Sequence, residues 1–104
     1  MTVVTVFRSR LREGVESTYA QVASEMSRLV REMEGFVDEG FFTSSNGERV
    51  TIVRFRDAAS QRAWASHPDH LAAQQRGRDE FYEWYDISVA DVTYARTYHA
   101  PDIM

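Results

Sequence analysis

The start of the chain shows two different hydrophobic periods. Residues 2–10 alternate between the two sides of a strand, with one face carrying Val4 and Val6 and the other carrying Val3, Thr5 and Phe7. After Gly14 the apolar residues recur at intervals of three and four, which predicts a helix of about five turns that ends at Gly35. Its apolar stripe consists of Val15, Tyr19, Val22, Met26, Leu29, Val30 and Met33.

The middle of the chain predicts a hairpin followed by a broken helix. Two β-rich runs are joined through Asn46-Gly47, a pair typical of hairpin turns, so strands are expected over residues 36–43 and 49–56. Asp57 can cap a short helix that reaches about residue 66. Pro68 suits the first turn of a second helix that ends at Gly77.

The last strand is expected to be unusually long. Residues 85–98 are β-like, and at ~3.3 Å per residue they would span ~46 Å, whereas a domain of this size is about 34 Å across. The apolar phase also slips between Val89 and Ala90, which predicts a bulge or a change of packing partner. An apolar overhang would attract a second copy of the chain, so we expect a homodimer held by residues 87–98.

Element order and composition limit the fold and the chemistry. The order of strands and helices predicts an α+β protein, a ferredoxin-like βαββαβ sandwich formed by a single domain over residues 1–99, with residues 100–104 as a tail. The chain has no cysteine, and all 12 basic residues are arginine, which excludes disulfides, Schiff-base lysines and the Walker loop. The net charge of −4 gives no attraction to nucleic acid. With no apolar run that could span a membrane and no signal-peptide pattern, a cytoplasmic protein is expected.

A few side chains are candidates for chemistry. Trp64 is either a core aromatic residue or part of a pocket wall. His67 and His70 are three residues apart and have Asp69 between them, a spacing compatible with metal binding, but Pro68 interrupts the helix and no third ligand is implied. We therefore expect no metal site; these histidines form a cap or a hydrogen-bonded pair, or His70 faces the pocket as a proton acceptor.

Charged and aromatic residues near the last strand also have two interpretations. Arginines within strands need a carboxylate partner such as Asp91, or an anionic ligand; they are Arg8, Arg54 and Arg96. The aromatic cluster before the last strand would serve core packing, the dimer interface or substrate stacking; its members are Tyr82, Trp84 and Tyr85.

Several segments together form a recognisable pattern over nearly the whole chain. They are Gly35-Phe36-Val37, Val50-Thr51-Ile52-Val53-Arg54-Phe55, Ala63-Trp64, His67-Pro68-Asp69-His70, Gln74-Gln75-Arg76-Gly77-Arg78, Phe81-Tyr82 and Arg96-Thr97-Tyr98. This pattern resembles the antibiotic biosynthesis monooxygenase (ABM) family. The resemblance implies a dimeric α/β barrel in which the two sheets join through their last strands. It says less about the reaction, because one fold supports several functions.

Two branches of that family suggest site residues. In the haem-degrading branch, the resemblance matches an asparagine, a tryptophan and a haem-ligating histidine to Phe7, Trp64 and Gln74. Glutamine is a poor iron ligand, which argues against haem degradation. In the cofactor-free quinol monooxygenases, the resemblance matches an asparagine, a tryptophan and an arginine to Thr51, Phe55 and Arg76.

The resemblance implies a cofactor-independent, monooxygenase-like oxidoreductase that acts on an aromatic, quinol-type substrate and dioxygen. His70 and Arg76 are the expected catalytic residues, as proton acceptor and oxyanion stabiliser. The expected substrate-binding residues are Phe7, Thr51, Phe55, Trp64, His67, Gln74 and Tyr82. The alternatives are a non-catalytic small-molecule binding protein of the same fold and a haem-binding or haem-degrading protein.

Overall fold

Residues 1–102, the part described by the computed structural model, form an antiparallel four-stranded sheet with helices on one face. The strands are β1 (Val3–Leu11), β2 (Phe36–Thr43), β3 (Arg49–Phe55) and β4 (Tyr82–Asp91). The helices are α1 (Glu16–Arg31), α2 (Ala58–Ala65) and α3 (Pro68–Arg76). The strand order is β2-β3-β1-β4, which confirms the α+β, ferredoxin-like prediction. No helix in the described range is long and apolar enough to cross a membrane.

Local side-chain chemistry fixes the two short helices where the sequence predicts them. The carboxylate of Asp57 accepts a hydrogen bond from the backbone N–H of Ser60 at 2.8 Å, which caps α2. Nδ1 of His67 accepts one from the backbone N–H of Asp69 at 3.1 Å, and Pro68 occupies the first turn of α3. These caps satisfy N–H groups that have no partner inside the helix. The break between α2 and α3 is therefore encoded locally.

The two faces of the sheet follow the alternation seen in the sequence. Val3, Thr5 and Phe7 of β1 face the helices, opposite Phe55, Val53 and Thr51 of β3. Under the helices, a buried core cluster consists of Val30, Val53, Phe55 and Trp64. The other face, which carries Val4 and Val6, has no helix against it. Apolar side chains are thus present on both faces, but within residues 1–102 helices cover only one of them.

The last strand is shorter than the sequence predicted and begins earlier. It starts at Tyr82, directly after a π-helical turn over Gly77–Phe81, and ends at Asp91. Asp91 pairs with Val3, the first residue of β1, so within the described residues β4 has no partner strand beyond this point. One further hydrogen bond joins the N–H of Val92 to the carbonyl of Thr2. A strand needs such a partner for its backbone groups. The described residues 93–102 have no regular structure, and Ile103 and Met104 lie outside the described residues.

The prediction of a bulge near Val89 is wrong, because the irregularity lies at the other end of β4. The pairing of β4 with β1 is regular through Val89 and shifts only between Arg10 and Leu11, opposite the start of β4. Val89 and Ala90 face opposite sides of one regular strand, which explains the apparent phase slip. A second register shift lies in β2, where Phe36 pairs with Phe55 but Asp38 pairs with Arg54, leaving Val37 as an extra residue.

The strand arginines find partners other than Asp91. Nε of Arg54 donates to Asp38 at 2.8 Å, and Nε of Arg8 donates to Glu48 at 3.0 Å. Both guanidinium groups lie on the face without helices and are partly exposed, so the ion pairs need no anionic ligand. Arg96 lies in the segment without regular structure rather than in a strand.

The two glycines that flank α1 provide a test of packing against α2. Both have a positive φ, +81° at Gly14 and +84° at Gly35, but a Cβ at Gly14 would meet nothing, whereas a Cβ at Gly35 would overlap the Ser60 side chain. We expect Gly14→Ala to destabilise the fold by about 1 kcal/mol through its backbone conformation alone. Gly35→Ala should lose roughly 1–3 kcal/mol more because of overpacking. Urea unfolding of both variants measures the difference; equal losses would contradict the predicted contact.

Candidate active site

A cavity of about 300 Å³ lies between the helix-facing side of the sheet and the helices. Its wall is mostly apolar and aromatic, which is typical of small-molecule sites. On the edge strand β4, Ile87 and Val89 line the cavity and are 41% and 49% exposed. The cavity wall therefore reaches solvent along this edge.

Most of the sequence-predicted site residues meet in this cavity. Those that line it are Phe7, Thr51, Phe55, Trp64, His70, Gln74 and Tyr82. The residues at positions 70, 73 and 74 share one face of α3, as expected from helix periodicity. Gln74, matched by the resemblance to a haem-ligating position, contributes an amide, which is a poor ligand for iron.

His67 and Arg76 do not line the cavity. The ring of His67 lies at the start of α3, where Nδ1 is occupied by the cap hydrogen bond. Arg76 lies about 240° around the helix from His70, its Nε donates to Glu80 at 2.5 Å, and its guanidinium lies over the ring of Phe81. The structure thus gives both side chains other contacts and leaves His70 as the histidine at the site.

His70 is held against the core by Trp64. The two rings are stacked with centroids 4.4 Å apart and planes 22° apart, and the indole of Trp64 is 8% exposed. Nδ1 of His70 is buried and has no hydrogen-bond partner among residues 1–102. Burial lowers the pKa of His70, while the backbone carbonyls of Trp64 and Ala65 partly oppose this shift. The imidazole is therefore neutral at pH 7, and the residue lines the cavity.

Aromatic rings form one end of the cavity. The ring of Phe7 lies 5.4 Å from those of Tyr82 and Tyr85, and the hydroxyl of Tyr82 is 3.4 Å from that of Tyr19. Burial raises the pKa of Tyr82 far above its usual value, so its phenol stays protonated. Tyr82 can thus pack against a ligand but is not a base at neutral pH. Trp84, the remaining member of the predicted cluster, faces the opposite side of the sheet with Arg10.

Comparison with known proteins supports one family. A sequence profile described as "Antibiotic biosynthesis monooxygenase" matches residues 2–76, well over half of the chain. The chain belongs to the ABM family. Its fold also superposes on the Mycobacterium tuberculosis protein Rv0793 with a TM-score of 0.83 and 16% identity, covering 93% of this chain and all of that one.

Other relatives of this ABM protein carry different descriptions. YqjZ of Bacillus subtilis, described as uncharacterized, is 26% identical over 89% of this chain and 82% of its own length. A protein of Pyricularia oryzae named jasmonate monooxygenase is 27% identical over 85% of this chain, which spans 42% of that relative. The structure of SnoaB from Streptomyces nogalater, a cofactor-independent oxygenase, has a TM-score of 0.76 at 16% identity, covering 90% and 95% of the two chains.

The polar residues of this ABM site that the sequence analysis missed include Thr5 and Glu39. Thr5 lines the cavity from β1, and its buried hydroxyl has no hydrogen-bond partner in the described range. Glu39 lines it from β2 with a side chain that is 6% exposed. Thr5 shares a strand face with Phe7 in the sequence pattern and could have been noticed as the polar member of that face. Glu39 could not, because simple alternation from Phe36 places Asp38 inward, and only the extra residue at Val37 reverses this.

The lowered pKa of His70 makes the stability of the fold depend on pH. The unfolded chain binds a proton near pH 6.5, whereas folded His70 binds it only at lower pH, so stability falls as the pH drops below about 6.5. We expect the His70 contribution to lower the free energy of unfolding by at most about 1.4 kcal/mol per pH unit. Urea titrations of the wild type and His70→Gln between pH 7.5 and 5 measure this slope. The exposed His99→Gln is the control; identical slopes in all three proteins would contradict the prediction.

Proposed function

We propose that this ABM protein oxidises an aromatic, quinol-type small molecule with dioxygen, without a cofactor. The observation that carries the proposal is the neutral imidazole of His70, which lines an apolar cavity. A neutral imidazole is a suitable acceptor for a phenolic proton near pH 7. The family and the similarity to a cofactor-independent oxygenase support the reaction class.

The proposed chemistry divides the work between the substrate and the protein. His70 takes the phenolic proton, and the electron-rich phenolate supplies electrons to dioxygen. For a simple hydroquinone, two electrons and two protons pass to dioxygen, giving a quinone and hydrogen peroxide. For a phenol with an activated CH₂ group, that group becomes a carbonyl with one oxygen atom of dioxygen, and the other leaves as water. The aromatic walls orient the substrate and exclude bulk water.

Non-catalytic binding is the second candidate. The position of Arg76 favours it, because the cavity then lacks the guanidinium that would stabilise an oxyanion. A binding protein would use the same aromatic walls and would show saturable affinity without turnover. The two functions are therefore separated by product analysis rather than by affinity.

Removal of the His70 imidazole should abolish most of the oxidation. We expect His70→Ala to lower the rate of hydroquinone oxidation by about 10²- to 10⁴-fold, because a proton-transfer group is lost. His99→Ala, which does not line the cavity, is the matched histidine control and should keep the wild-type rate. Quinone absorbance measures the rate, and labelled dioxygen with mass spectrometry shows whether an oxygen atom enters the product. Saturable binding without oxidation above background across a hydroquinone panel would favour the binding function.

We also propose that the protein is a homodimer joined through β4 and the residues that follow it. Tyr94 and Tyr98, beyond the end of β4, are 76% and 78% exposed in the single chain. The sheet face without helices carries Val6 and Ile52, which have no covering element in the described chain. A second copy would bury both sets of apolar side chains.

A charge in the segment after β4 should dissociate this dimer. Tyr94→Asp would bury a carboxylate at the interface, and we expect it to weaken dimerisation by several kcal/mol. The single chain should still fold, because Tyr94 makes no core contact there. Leu71→Asp, at a 49% exposed position of α3, is the control. Sedimentation equilibrium measures the association; a monomeric wild type would refute the proposal.

A further inference from the structure

Two polar side chains share one row across the floor of the cavity. Glu39 of β2 pairs with Val53 of β3, Val53 pairs with Thr5 of β1, and Thr5 pairs with Val89 of β4. All of these residues line the cavity, so the row forms a continuous strip of its floor. Glu39 and Thr5 are separated by two strand spacings, about 10 Å between their backbones.

The carboxylate of Glu39 is only partly satisfied by the protein. Its Oε1 accepts hydrogen bonds from Nε of Arg31 at 2.8 Å and from the hydroxyl of Ser27. No such bond ends on Oε2 within residues 1–102. The Arg31 side chain is 63% exposed and does not line the cavity. A ligand in the cavity therefore meets a carboxylate oxygen rather than a guanidinium group.

Thr5 supplies the second polar group of the row. Its Oγ1 is buried and unpaired although apolar residues surround it on the floor. A buried hydroxyl without a partner destabilises a fold, and valine would fill nearly the same space without that penalty. Because Oγ1 has almost no accessible surface, a ligand group would reach it only after the Thr5 side chain rotates about χ1, and the hydrogen bond would then remove the penalty.

We infer that Glu39 and Thr5 form a recognition subsite for the hydroxyl groups of a neutral ligand and that Glu39 selects against carboxylates. This inference rests on the proposed function, because it describes which aromatic molecules the same cavity accepts. A ligand hydroxyl donates to Oε2 of Glu39, whereas a ligand carboxylate there would face a like charge with little water to screen it. Glu39 and Thr5 thus determine specificity, and proton transfer belongs to His70.

The test compares two fluorescent probes of the same ring size in the absence of dioxygen. These are 2,6-dihydroxynaphthalene and 6-hydroxy-2-naphthoic acid, the latter ionised at pH 7.5. We expect the wild type to bind the diol at least about tenfold more tightly than the acid. Glu39→Gln keeps the side-chain shape but removes the charge, and its amide can donate to a carboxylate. We expect the preference in this variant to fall below about threefold.

Thr5→Val gives a second readout that does not depend on the acid. We expect it to weaken diol binding by about 3- to 10-fold, the effect of one hydrogen bond, and to raise the melting temperature of the ligand-free protein. A variant that merely damaged the fold would lower the melting temperature instead. Glu32→Gln is the matched control, since that side chain, directly after α1, is 69% exposed. Its affinities should equal those of the wild type.

The outcomes separate this inference from the proposed function. If the probes bind but the wild type does not prefer the diol, or if Glu39→Gln keeps the full preference, the hydroxyl subsite is refuted while an aromatic-binding cavity stands. Unchanged diol affinity in Thr5→Val would remove Thr5 from the subsite. If the wild type binds neither probe, the proposed function itself fails, and the inference fails with it.

Discussion

The contact between Trp64 and His70 connects the stability of this protein to its chemistry. The indole belongs to the buried core with Val53 and Phe55, and its other face stacks on the imidazole. This contact depends on the break between α2 and α3, because the cap at His67 starts the new helix three residues before His70. The candidate base is thus positioned by the same packing that closes the core. A change at Trp64 would therefore affect both the stability of the fold and the position of the proposed proton acceptor.

The aromatic end of the cavity depends on the π-helical turn between α3 and β4. The π-helical turn over Gly77–Phe81 leaves backbone carbonyls without regular helical partners, and the guanidinium of Arg12 donates to those of Arg78, Asp79 and Tyr82. Gly77 lies so close to the ring of Tyr82 that a side chain there would displace it. Such turns are frequent at functional sites. Here the turn joins α3 to β4 and sets the position of Tyr82 in the cavity wall.

The sequence predicted those parts of the fold that depend on local chemistry. The hairpin at Asn46-Gly47, the cap at Asp57 and the helix start at Pro68 are all encoded by neighbouring residues, and each is confirmed. The end of β4 was not predictable in this way. It depends on where β1 begins, about ninety residues earlier, because Asp91 takes Val3 as its partner. Long-range pairing sets strand length, and a single strand's pattern does not report it.

Some residues of the candidate site were likewise predictable from the sequence, and others were not. The family resemblance pointed to Trp64 and the acid–base chemistry of histidine pointed to His70, and the structure brings the two side chains together. Arg76 was placed in the site by resemblance alone, and helix geometry turns it away from His70. Glu39 was missed because one extra residue at Val37 reverses the alternation of β2. A change of one residue in register therefore exchanges a surface carboxylate for one in the cavity wall.

Two polar atoms of residues that line this cavity are buried without hydrogen-bond partners among residues 1–102, which destabilises the fold. The hydroxyl of Thr5 and Nδ1 of His70 are buried without partners, and each such group costs about 1–3 kcal/mol relative to a satisfied one. Valine or leucine at these positions would give a more stable apolar core. In the proposed function, a ligand that hydrogen-bonds to both atoms would recover this free energy on binding, so part of its affinity would be stored in the ligand-free fold. We assign the two residues different roles: Thr5 belongs to the proposed hydroxyl subsite, and His70 is the proposed proton acceptor.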